Sequence, residues 1–282
     1  MKKLLTNLTA SLASVVKIML YSRGRRKARP VEREKSIVLL GNGPSLRQTI
    51  DSQSERLAHH SLMAVNYAAL ADDFIALRPD FYIMIDPIFF PFEGHDDKNT
   101  AKVWNRLGSA DWQLTLFVPR AFAGYARGRL EAAGANAKVV ALNLVPVEGF
   151  RFLAHATYNA GLGMPRPRNV LIAACMAAIS EGFGKIYLAG ADHSWTQTLS
   201  VDEDNQVCNT PLHFYKEKPD PAQIERARAA YRGLHLHDVF ESLRIAFRSY
   251  FDVKAWAESR GVEIYNSTPG SMIDAFPRRE IP

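Results

Sequence analysis

Short apolar runs of strand length recur along the chain, and most of them end on polar, proline-containing or glycine-containing turns. Stretches with apolar residues at helical spacing lie between most of these runs. Alternation of strands and helices predicts an α/β fold with a mostly parallel sheet of about seven strands, covered by helices on both faces. The predicted strands are Ser36–Leu40, Leu62–Asn66, Phe81–Ile85, Leu114–Val118, Lys138–Leu142, Lys185–Gly190 and Val262–Tyr265. The predicted helices of the body are Ala68–Leu77, Ala101–Leu107, Arg120–Ala133, Asn169–Glu181 and Val239–Ser259.

The N-terminal region differs from the rest of the chain in pattern. Met1–Tyr21 places most of its leucines and valines on one arc of a helix, with hydroxyl side chains and Lys17 largely opposite. Lys17 and the hydroxyls disfavour a transmembrane span. Together with the basic cluster Arg23–Arg29, this pattern predicts an amphipathic helix in peripheral contact with an anionic membrane through residues 1–29. A helix packed on the body and a targeting presequence are the alternatives.

Charge separates the two parts of the chain. Residues 1–35 contain ten Lys or Arg and two Glu, so residues 36–282 carry a net −2 within a chain of net +6. A slightly acidic body argues against nucleic acid as a partner, because a duplex-binding domain needs its positive face on the fold itself. Pro30–Lys35 is the predicted linker, and residues 36–282 are the predicted single catalytic domain. The two cysteines, Cys175 and Cys208, are too few for a disulfide framework and are not spaced as metal ligands. This cysteine usage indicates a reducing compartment.

The first strand of the body runs into the turn Gly41-Asn42-Gly43-Pro44-Ser45. Glycines let the backbone turn sharply and let a ligand approach, because they carry no Cβ. Pro44 fixes φ, and Ser45 can cap the helix that follows. A strand, a glycine-rich turn and a helix start predict a site for a phosphate or nucleotide, with an ordinary tight turn as the alternative. The turn matches neither the dinucleotide fingerprint nor a P-loop.

Polar side chains follow most of the predicted strands at the point where each strand ends. In a parallel sheet those ends share one edge, so these side chains are expected to converge on one crevice. Asn and Asp are also common after strands because they form turns, which is the alternative for each of them alone. The residues concerned are Asn42, Asn66, Asp86, Asp192 and Asn266.

Residues 193–218 are too polar for the core and too long for a plain connection, so they predict a lid-like binding loop or a disordered segment. Within this loop, Asp202–Asp204 imitates a metal-binding Asp-x-Asp motif, but its position in an acidic run favours a solvated turn. Asp192 and His193 have no further ligands at metal-binding spacing. We therefore expect no metal site.

The segments SIVLLGNGPSLR, AVNYA, IDP, GFGKIYLAGAD and IYNSTPGSMIDAF carry a resemblance. They resemble the bacterial sialyltransferases that use CMP-sialic acid, glycosyltransferase family 42. They also resemble a wider group of proteins related to archaeal 6-hydroxymethylpterin diphosphokinase. The resemblance spans most of residues 36–276 in patches, and only the GNGPS loop is specific. It implies a Rossmann-like fold.

The resemblance to the sialyltransferases implies a metal-independent, inverting transfer from a CMP-sugar that serves as co-substrate, with no cofactor. Asp86 stands where the family has a third asparagine, and a carboxylate near a phosphate is unfavourable without a metal or a proton. Arg166-Pro167-Arg168-Asn169 replaces a family Arg-Ile-Thr-Ser-Gly stretch, yet its arginines still suit an acidic sugar or phosphate. The predicted nucleotide- and donor-binding residues are Gly41, Asn42, Gly43, Pro44, Ser45, Asn66, Asp86, Arg168, Asn169, Asp192, Tyr215 and Asn266.

The family's catalytic histidine precedes its penultimate helix, where this chain has Leu234-His235-Leu236-His237-Asp238. Either histidine is suited to taking a hydroxyl proton near neutral pH. His237 is preferred because Asp238 lies beside it, and solvated loop histidines are the alternative. Backbone amides of the Asn42–Ser45 turn, an arginine and Tyr215 are the predicted partners of the departing phosphate, with His213 a rival base.

The sequence thus predicts a cytoplasmic glycosyltransferase, peripheral at the inner membrane face. It would move a sialic-acid-like or other acidic sugar from a CMP-type donor to a cell-surface glycan. The second hypothesis is Mg-ATP-dependent pyrophosphate transfer of the diphosphokinase type, with Asp86 and Asp192 as metal ligands. The third is a non-catalytic, membrane-associated nucleotide-binding module. The pattern leaves the oligomeric state open.

Overall fold

The computed structural model describes residues 1–91, 98–209, 229 and 231–282. Its centre is a seven-stranded, wholly parallel sheet in the order β5-β4-β3-β2-β1-β6-β9, and β7 and β8 form a separate antiparallel hairpin. The strands are β1 (Glu32–Leu40), β2 (Ser61–Val65), β3 (Phe81–Ile83), β4 (Leu114–Pro119), β5 (Ala137–Leu142), β6 (Phe183–Ala189), β7 (Leu199–Val201), β8 (Val207–Asn209) and β9 (Glu263–Asn266). The prediction of a mostly parallel α/β sheet is confirmed.

The α-helices of the described residues alternate with most of these strands. They are α1 (Lys2–Tyr21), α2 (Ser45–Leu57), α3 (Asp73–Leu77), α4 (Lys98–Gly108), α5 (Ala123–Ala132), α6 (Arg151–Asn159), α7 (Val170–Ser180) and α8 (Leu236–Ser259). Helix α6 was not predicted. The predicted helix over 68–77 is divided into a 3₁₀ turn, Asn66–Leu70, and α3.

The sheet is buried on both faces, which explains why its central strand is a continuous apolar run. Along β1, Ile37 and Leu39 belong to the cluster built around α7, whereas Val38 and Leu40 belong to a second cluster with α2 residues. Side chains alternate across a strand, so both faces of β1 need apolar residues. Helix α7 is buried along almost its whole length and packs on β1, β2 and β6.

The N-terminal helix packs on the body through small polar residues. Ser11 and Ser14 are its buried residues, and their hydroxyl oxygens accept hydrogen bonds from the backbone N–H groups of Phe150 and Glu148, respectively, each at 2.9 Å. The predicted linker is partly strand, because β1 begins at Glu32. Helix α1 is the described helix whose length and composition are compatible with crossing a membrane, a property it shares with signal sequences.

The predicted lid-like loop contains local structure in its described part. A 3₁₀ turn, Ser194–Gln197, leads into the β7–β8 hairpin. The Asp202–Asp204 segment forms the hairpin turn, where Asp202 Oδ1 accepts from the N–H groups of Asp204 and Gln206. The carboxylate thus organises the turn, as the solvated-turn interpretation requires. Residues 210–218 of the loop lie outside the described residues.

Candidate functional site

The order of the strands creates a topological switch point between β1 and β6. The chain proceeds from β1 through β2, β3 and β4 to β5 on one side, then crosses back so that β6 lies on the other side of β1. The segments that follow β1 and β6 therefore lead to opposite sides of the sheet, which leaves a crevice between the carboxyl ends of these two strands. A crevice at such a point is the usual ligand site of an open α/β sheet. Gly41–Ser45 follows β1 here, and Gly190–Asp192 follows β6.

A cleft of about 960 Å³ opens at this edge of the sheet. Its lining combines polar residues after the strands with apolar and aromatic residues such as Val65, Tyr67 and Trp195. The predicted residues that line the cleft are Asn42, Gly43, Pro44, Asn66, Asp86, Arg168, Asn169 and Asp192. Residues separated by up to 150 positions in the chain therefore share one cavity, as the strand-end pattern predicts.

The two glycines of the first turn are required by its contact with the turn after β6. The N–H of Gly43 donates to the carbonyl oxygen of Gly190 at 2.9 Å. A Cβ on Gly41 would lie 2.4 Å from that oxygen, and a Cβ on Gly43 would lie 1.9 Å from Asp192 Oδ2. Gly190 itself has φ +64°. The glycines thus allow two turns to pack together, whereas the sequence had indicated space for a ligand.

Asp192 occupies the N-terminal end of α2. Its Oδ2 accepts from Ser45 Oγ at 2.8 Å and its Oδ1 from the Ser45 N–H at 3.3 Å. Burial raises the pKa of this carboxyl, and the hydrogen bonds from Ser45 oppose that rise. Among the loop amides predicted to contact the phosphate, the N–H groups of Gly43 and Ser45 already have partners. A carboxylate here also disfavours an anion at the same helix end.

Three asparagines of the cleft have side-chain amide atoms that are buried and without a hydrogen-bond partner among the described residues. They are Oδ1 of Asn42, Oδ1 of Asn66 and Nδ2 of Asn169. The Nδ2 of Asn42 donates to the carbonyl of Val65 at 3.1 Å, which fixes its amide between β1 and β2. Buried polar atoms without partners are uncommon in folded proteins. Two acceptors and one donor beside the cleft are therefore unpartnered, and a polar ligand reaches them only if these enclosed side chains shift.

Among the described residues, the charged side chains that line the cleft are Asp86, Asp192 and Arg168. Oδ1 of Asp86 accepts from the N–H of Ile88 at 3.0 Å and caps a short 3₁₀ turn. The Arg168 guanidinium makes no hydrogen bond or ion pair with any side chain in the described ranges. Arg166, by contrast, pairs with Glu148 at 3.2 Å and does not line the cleft. Arg168 is thus the arginine placed to meet an anionic group.

The two histidines predicted as the base lie at the N-terminus of α8. His235 is the N-cap residue, and Asp238 Oδ2 accepts from its backbone N–H at 3.0 Å. The His237 side chain is 81% exposed. Neither histidine is among the described residues that line the cleft. Asp238 therefore caps the start of α8 in addition to lying beside His237. A catalytic role for either histidine stays a prediction.

Three other predicted binding residues are not placed in the cleft. Asn266 is 1% exposed, and its side chain donates to Ser271 Oγ and the Ile273 carbonyl, each at 3.0 Å. Its expected place at the crevice is wrong, because the amide holds the turn after β9 together. Gly41 is covered by the turn after β6. Ser45 does not line the cleft itself but donates a hydrogen bond to Asp192, which does. Tyr215 and His213 lie outside the described residues.

Sequence reasoning missed three ring-bearing residues of the cleft, Tyr67, His193 and Trp195. The rings of His193 and Trp195 are 4.2 Å apart, and His193 is 8% exposed. Burial lowers the pKa of His193 to about 3, so its imidazole is neutral at physiological pH. The sequence contained a signal for two of them, since Tyr67 directly follows Asn66 and His193 directly follows Asp192, which are both predicted strand-end residues. Aromatic faces beside unpartnered amides suit a nucleobase or sugar.

Metal ligands are sparse in the described part of the chain. No group of three or more His, Cys, Asp and Glu side chains is arranged there to hold a metal ion. Asp86 and Asp192 both line the cleft, so carboxylates from two strand ends remain the available hard ligands. A metal held by these two residues would require further oxygen ligands from a substrate or water.

Comparison with known proteins gives one structural similarity. No protein-family profile and no curated protein matches the sequence. The chain is similar to the MAf glycosyltransferase from Magnetospirillum magneticum AMB-1, with 13% sequence identity and a TM-score of 0.49. The match covers 99% of this chain and 38% of that protein, so the chain spans well under half of its length. A likeness of this degree carries no conclusion about the reaction of this chain.

Proposed function

We propose that the chain is a nucleotide-sugar-dependent glycosyltransferase that uses a CMP-type donor with an acidic sugar and transfers it to a glycan. The observation that carries the proposal is the meeting of Asn42, Asn66, Asn169 and Arg168 in one cleft at the switch point. The described lining of the cleft combines unpartnered amide atoms, aromatic walls and the Arg168 guanidinium. Those features suit a ligand with a base, hydroxyl groups and a phosphate.

Each part of the donor has a place in this proposal. Oδ1 of Asn42 and Oδ1 of Asn66 accept from the N–H and O–H groups of the nucleoside. Arg168 meets the phosphate, and an acidic sugar adds a second negative group for it. We place the phosphate towards Arg168 rather than at the start of α2, because Asp192 holds that helix end. Charge that develops on the departing phosphate is then stabilised by the Arg168 guanidinium.

The proposed base is Asp192. The acceptor hydroxyl gives its proton to the Asp192 carboxylate as its oxygen bonds to the anomeric carbon. The bond from that carbon to the phosphate oxygen breaks, and CMP departs with the bonding electrons, so the configuration inverts. Burial raises the pKa of Asp192, which makes it a stronger proton acceptor than an exposed carboxylate. His237, the base implied by the family resemblance, is the rival.

A calorimetric and kinetic experiment tests the proposal. CMP and ATP are titrated into the protein with and without Mg²⁺, and CMP release from CMP-N-acetylneuraminic acid is followed with wild type, Asp192→Asn and His237→Ala. The proposal expects metal-independent CMP binding, and turnover lost in Asp192→Asn with CMP affinity kept. Loss of turnover in His237→Ala alone would assign the base to the histidine. Binding of ATP only with Mg²⁺ would contradict the proposal.

One observation favours the diphosphokinase alternative. Asp86 and Asp192 line the same cleft, and carboxylates are the side chains that hold Mg²⁺ beside substrate phosphates. In that reaction a metal would offset the repulsion between phosphates and both carboxylates. The same titrations decide, since Mg-ATP would then bind and CMP would not. Tight nucleotide binding without turnover of any donor would indicate the non-catalytic module.

We further propose that the protein works at an anionic membrane surface on the cytoplasmic side. Helix α1 packs on the body through its serines, so its apolar arc faces outward, with Leu5 60% and Met19 66% exposed. An outward apolar arc beside basic residues suits the headgroup region of an anionic bilayer. Part of the basic cluster has another role, because Arg26 and Arg29 pair with the buried Glu181.

A further inference from the structure

A chain of hydrogen bonds links the floor of the cleft to the start of α7. His193 Nε2 lies 2.6 Å from the hydroxyl oxygen of Tyr250, and that hydroxyl donates to Asn169 Oδ1 at 2.9 Å. Oδ1 of Asn169 also accepts from the N–H groups of Leu171 and Ile172, since Asn169 is the N-cap of α7. Tyr250 is fully buried and His193 nearly so.

The order of donors in this chain follows from the helix cap. Two backbone N–H groups point at Asn169 Oδ1, so that atom must be the amide oxygen. The single proton of the Tyr250 hydroxyl is then used on Asn169. His193 Nε2 must therefore be an N–H that donates to Tyr250, because the phenolic oxygen has only acceptor capacity left. In a neutral imidazole the other nitrogen, Nδ1, then carries a lone pair.

The Nδ1 atom has no partner among the residues that the structure describes. Neither a hydrogen bond nor an ion pair joins it to any residue within the described ranges, and it is not among the sealed, unpartnered buried atoms. His193 lines the cleft, so the cleft supplies the access of Nδ1 to solvent. The backbone of His193 is left-handed, with φ +53°, which is uncommon outside glycine. Strain of this kind persists where the surroundings hold a residue in place.

We infer that His193 Nδ1 is a fixed hydrogen-bond acceptor for a hydroxyl or amine of the ligand, and that Tyr250 and Asn169 are positioning residues that set its tautomer. The inference deepens the proposed function, because it assigns a specificity contact to a nucleotide-sugar. Its acceptor role differs from proton abstraction, since burial lowers the pKa of His193 and so disfavours the charged ring that a second proton would create. A ligand without an O–H or N–H at that position would leave Nδ1 unpaired and bind more weakly.

The tautomer can be measured without any ligand. In ¹⁵N-labelled protein, long-range ¹H–¹⁵N spectra separate the unprotonated ring nitrogen from the N–H nitrogen by a large chemical-shift difference. We expect wild-type His193 to carry its proton on Nε2. Tyr250→Phe should convert the signal to a mixture of tautomers, whereas Tyr158→Phe, which removes another buried hydroxyl of the same core, should leave it unchanged. A proton on Nδ1, or an unchanged tautomer in Tyr250→Phe, would overturn the inference.

Ligand contact is measured in the same spectra. CMP and CMP-N-acetylneuraminic acid are added to the wild type, and the Nδ1 signal is expected to move upfield with at least one of them. If calorimetry shows that a probe binds and Nδ1 does not move with either, the ligand contact is refuted. If neither probe binds, the proposed function fails, while the Tyr250→Phe comparison still decides the tautomer.

Discussion

Ser45 Oγ donates a hydrogen bond to Asp192 Oδ2 at 2.8 Å and so joins the turn after β1 to the turn after β6. The two residues are separated by 147 positions in the chain. Their contact holds a carboxylate with a raised pKa in the lining of the switch-point cleft. The contact therefore ties the architecture of the sheet to the proposed chemistry.

Ser45→Ala should shift the pH dependence of turnover. The Ser45 Oγ–H stabilises the charged form of Asp192, so loss of this hydrogen bond raises the pKa of Asp192 further, while the backbone N–H of residue 45 still donates to Oδ1. A hydrogen bond to a charged group contributes about 1.5–3 kcal/mol, which corresponds to a shift of roughly one to two pH units. We expect the acidic limb of kcat/KM to move to higher pH in that variant and not in Ser52→Ala, an exposed serine of the same helix. A shift to lower pH would contradict the assignment.

Gly43→Ala should destabilise the protein. A Cβ at this position would lie 1.9 Å from Asp192 Oδ2 and 2.7 Å from the Gly190 carbonyl oxygen, so both turns must move. Overpacking of this kind costs about 1–3 kcal/mol. Gly128→Ala is the matched control, because Gly128 is an exposed residue of α5 and its Cβ would meet nothing within 4 Å. That change should stabilise by about 0.5–1 kcal/mol, and urea unfolding of both variants compares them.

Asn66→Gly should weaken nucleotide binding without disturbing the backbone. Asn66 has φ +49°, a conformation that glycine accepts readily, and its unpartnered Oδ1 lies in the cleft. Loss of one ligand hydrogen bond should raise the Kd for CMP by about 2–10-fold. Asn205→Gly is the control, since Asn205 has φ +57° in the exposed hairpin turn. Equal CMP affinity in Asn66→Gly and wild type would remove Asn66 from the binding site.

The stability of the protein should fall with acid through His193. The pKa of this group is lowered from its ordinary 6.5 to about 3, so only the unfolded chain binds a proton there between these values. Protonation of the unfolded chain favours unfolding, and stability should decline by up to about 1.4 kcal/mol per pH unit below pH 6.5.

Urea unfolding between pH 4 and 7.5 measures this slope. His193→Asn keeps a residue that tolerates the left-handed backbone and removes the titrating ring, so its profile should be flatter than that of wild type. His59→Asn changes an exposed histidine and should keep the wild-type slope. An identical slope in His193→Asn would mean that other groups dominate the acid response.

The apolar arc of α1 should bind anionic vesicles. Leu12 is 59% and Met19 66% exposed, and replacing both by Asn removes apolar area that would enter the headgroup region. The double variant should lose co-sedimentation with phosphatidylglycerol vesicles, whereas Ile75→Asn, a 41% exposed residue of α3, should retain it. If the protein bound neutral phosphatidylcholine vesicles as well as phosphatidylglycerol vesicles, the proposed attraction between its basic residues and anionic headgroups would be contradicted. Dimerisation that disappears in the double variant would identify a second copy as the partner.

The sequence by itself determined the seven strands of the central sheet, though not those of the β7–β8 hairpin, and the edge of the sheet that carries the cleft. Runs such as the end of β1 must be buried on both faces, so local composition is enough to mark them. Parallel strands place their carboxyl ends together, and Asn42, Asn66, Asp86 and Asp192 therefore reach one cavity. Both inferences depend on regular backbone geometry, which a short stretch of sequence encodes.

Only the tertiary structure decided which side chains face the cleft and which atoms remain free. Asn266 follows a strand just as Asn66 does, yet the amide of Asn266 hydrogen-bonds to Ser271 and Ile273 and is therefore buried away from the cleft. The Ser45–Asp192 and His193–Tyr250 contacts join residues 147 and 57 positions apart, so no local pattern predicts them. The reason is physical: a side chain's hydrogen-bonding state depends on neighbours that distant segments supply, and those neighbours exist only once the sheet has formed.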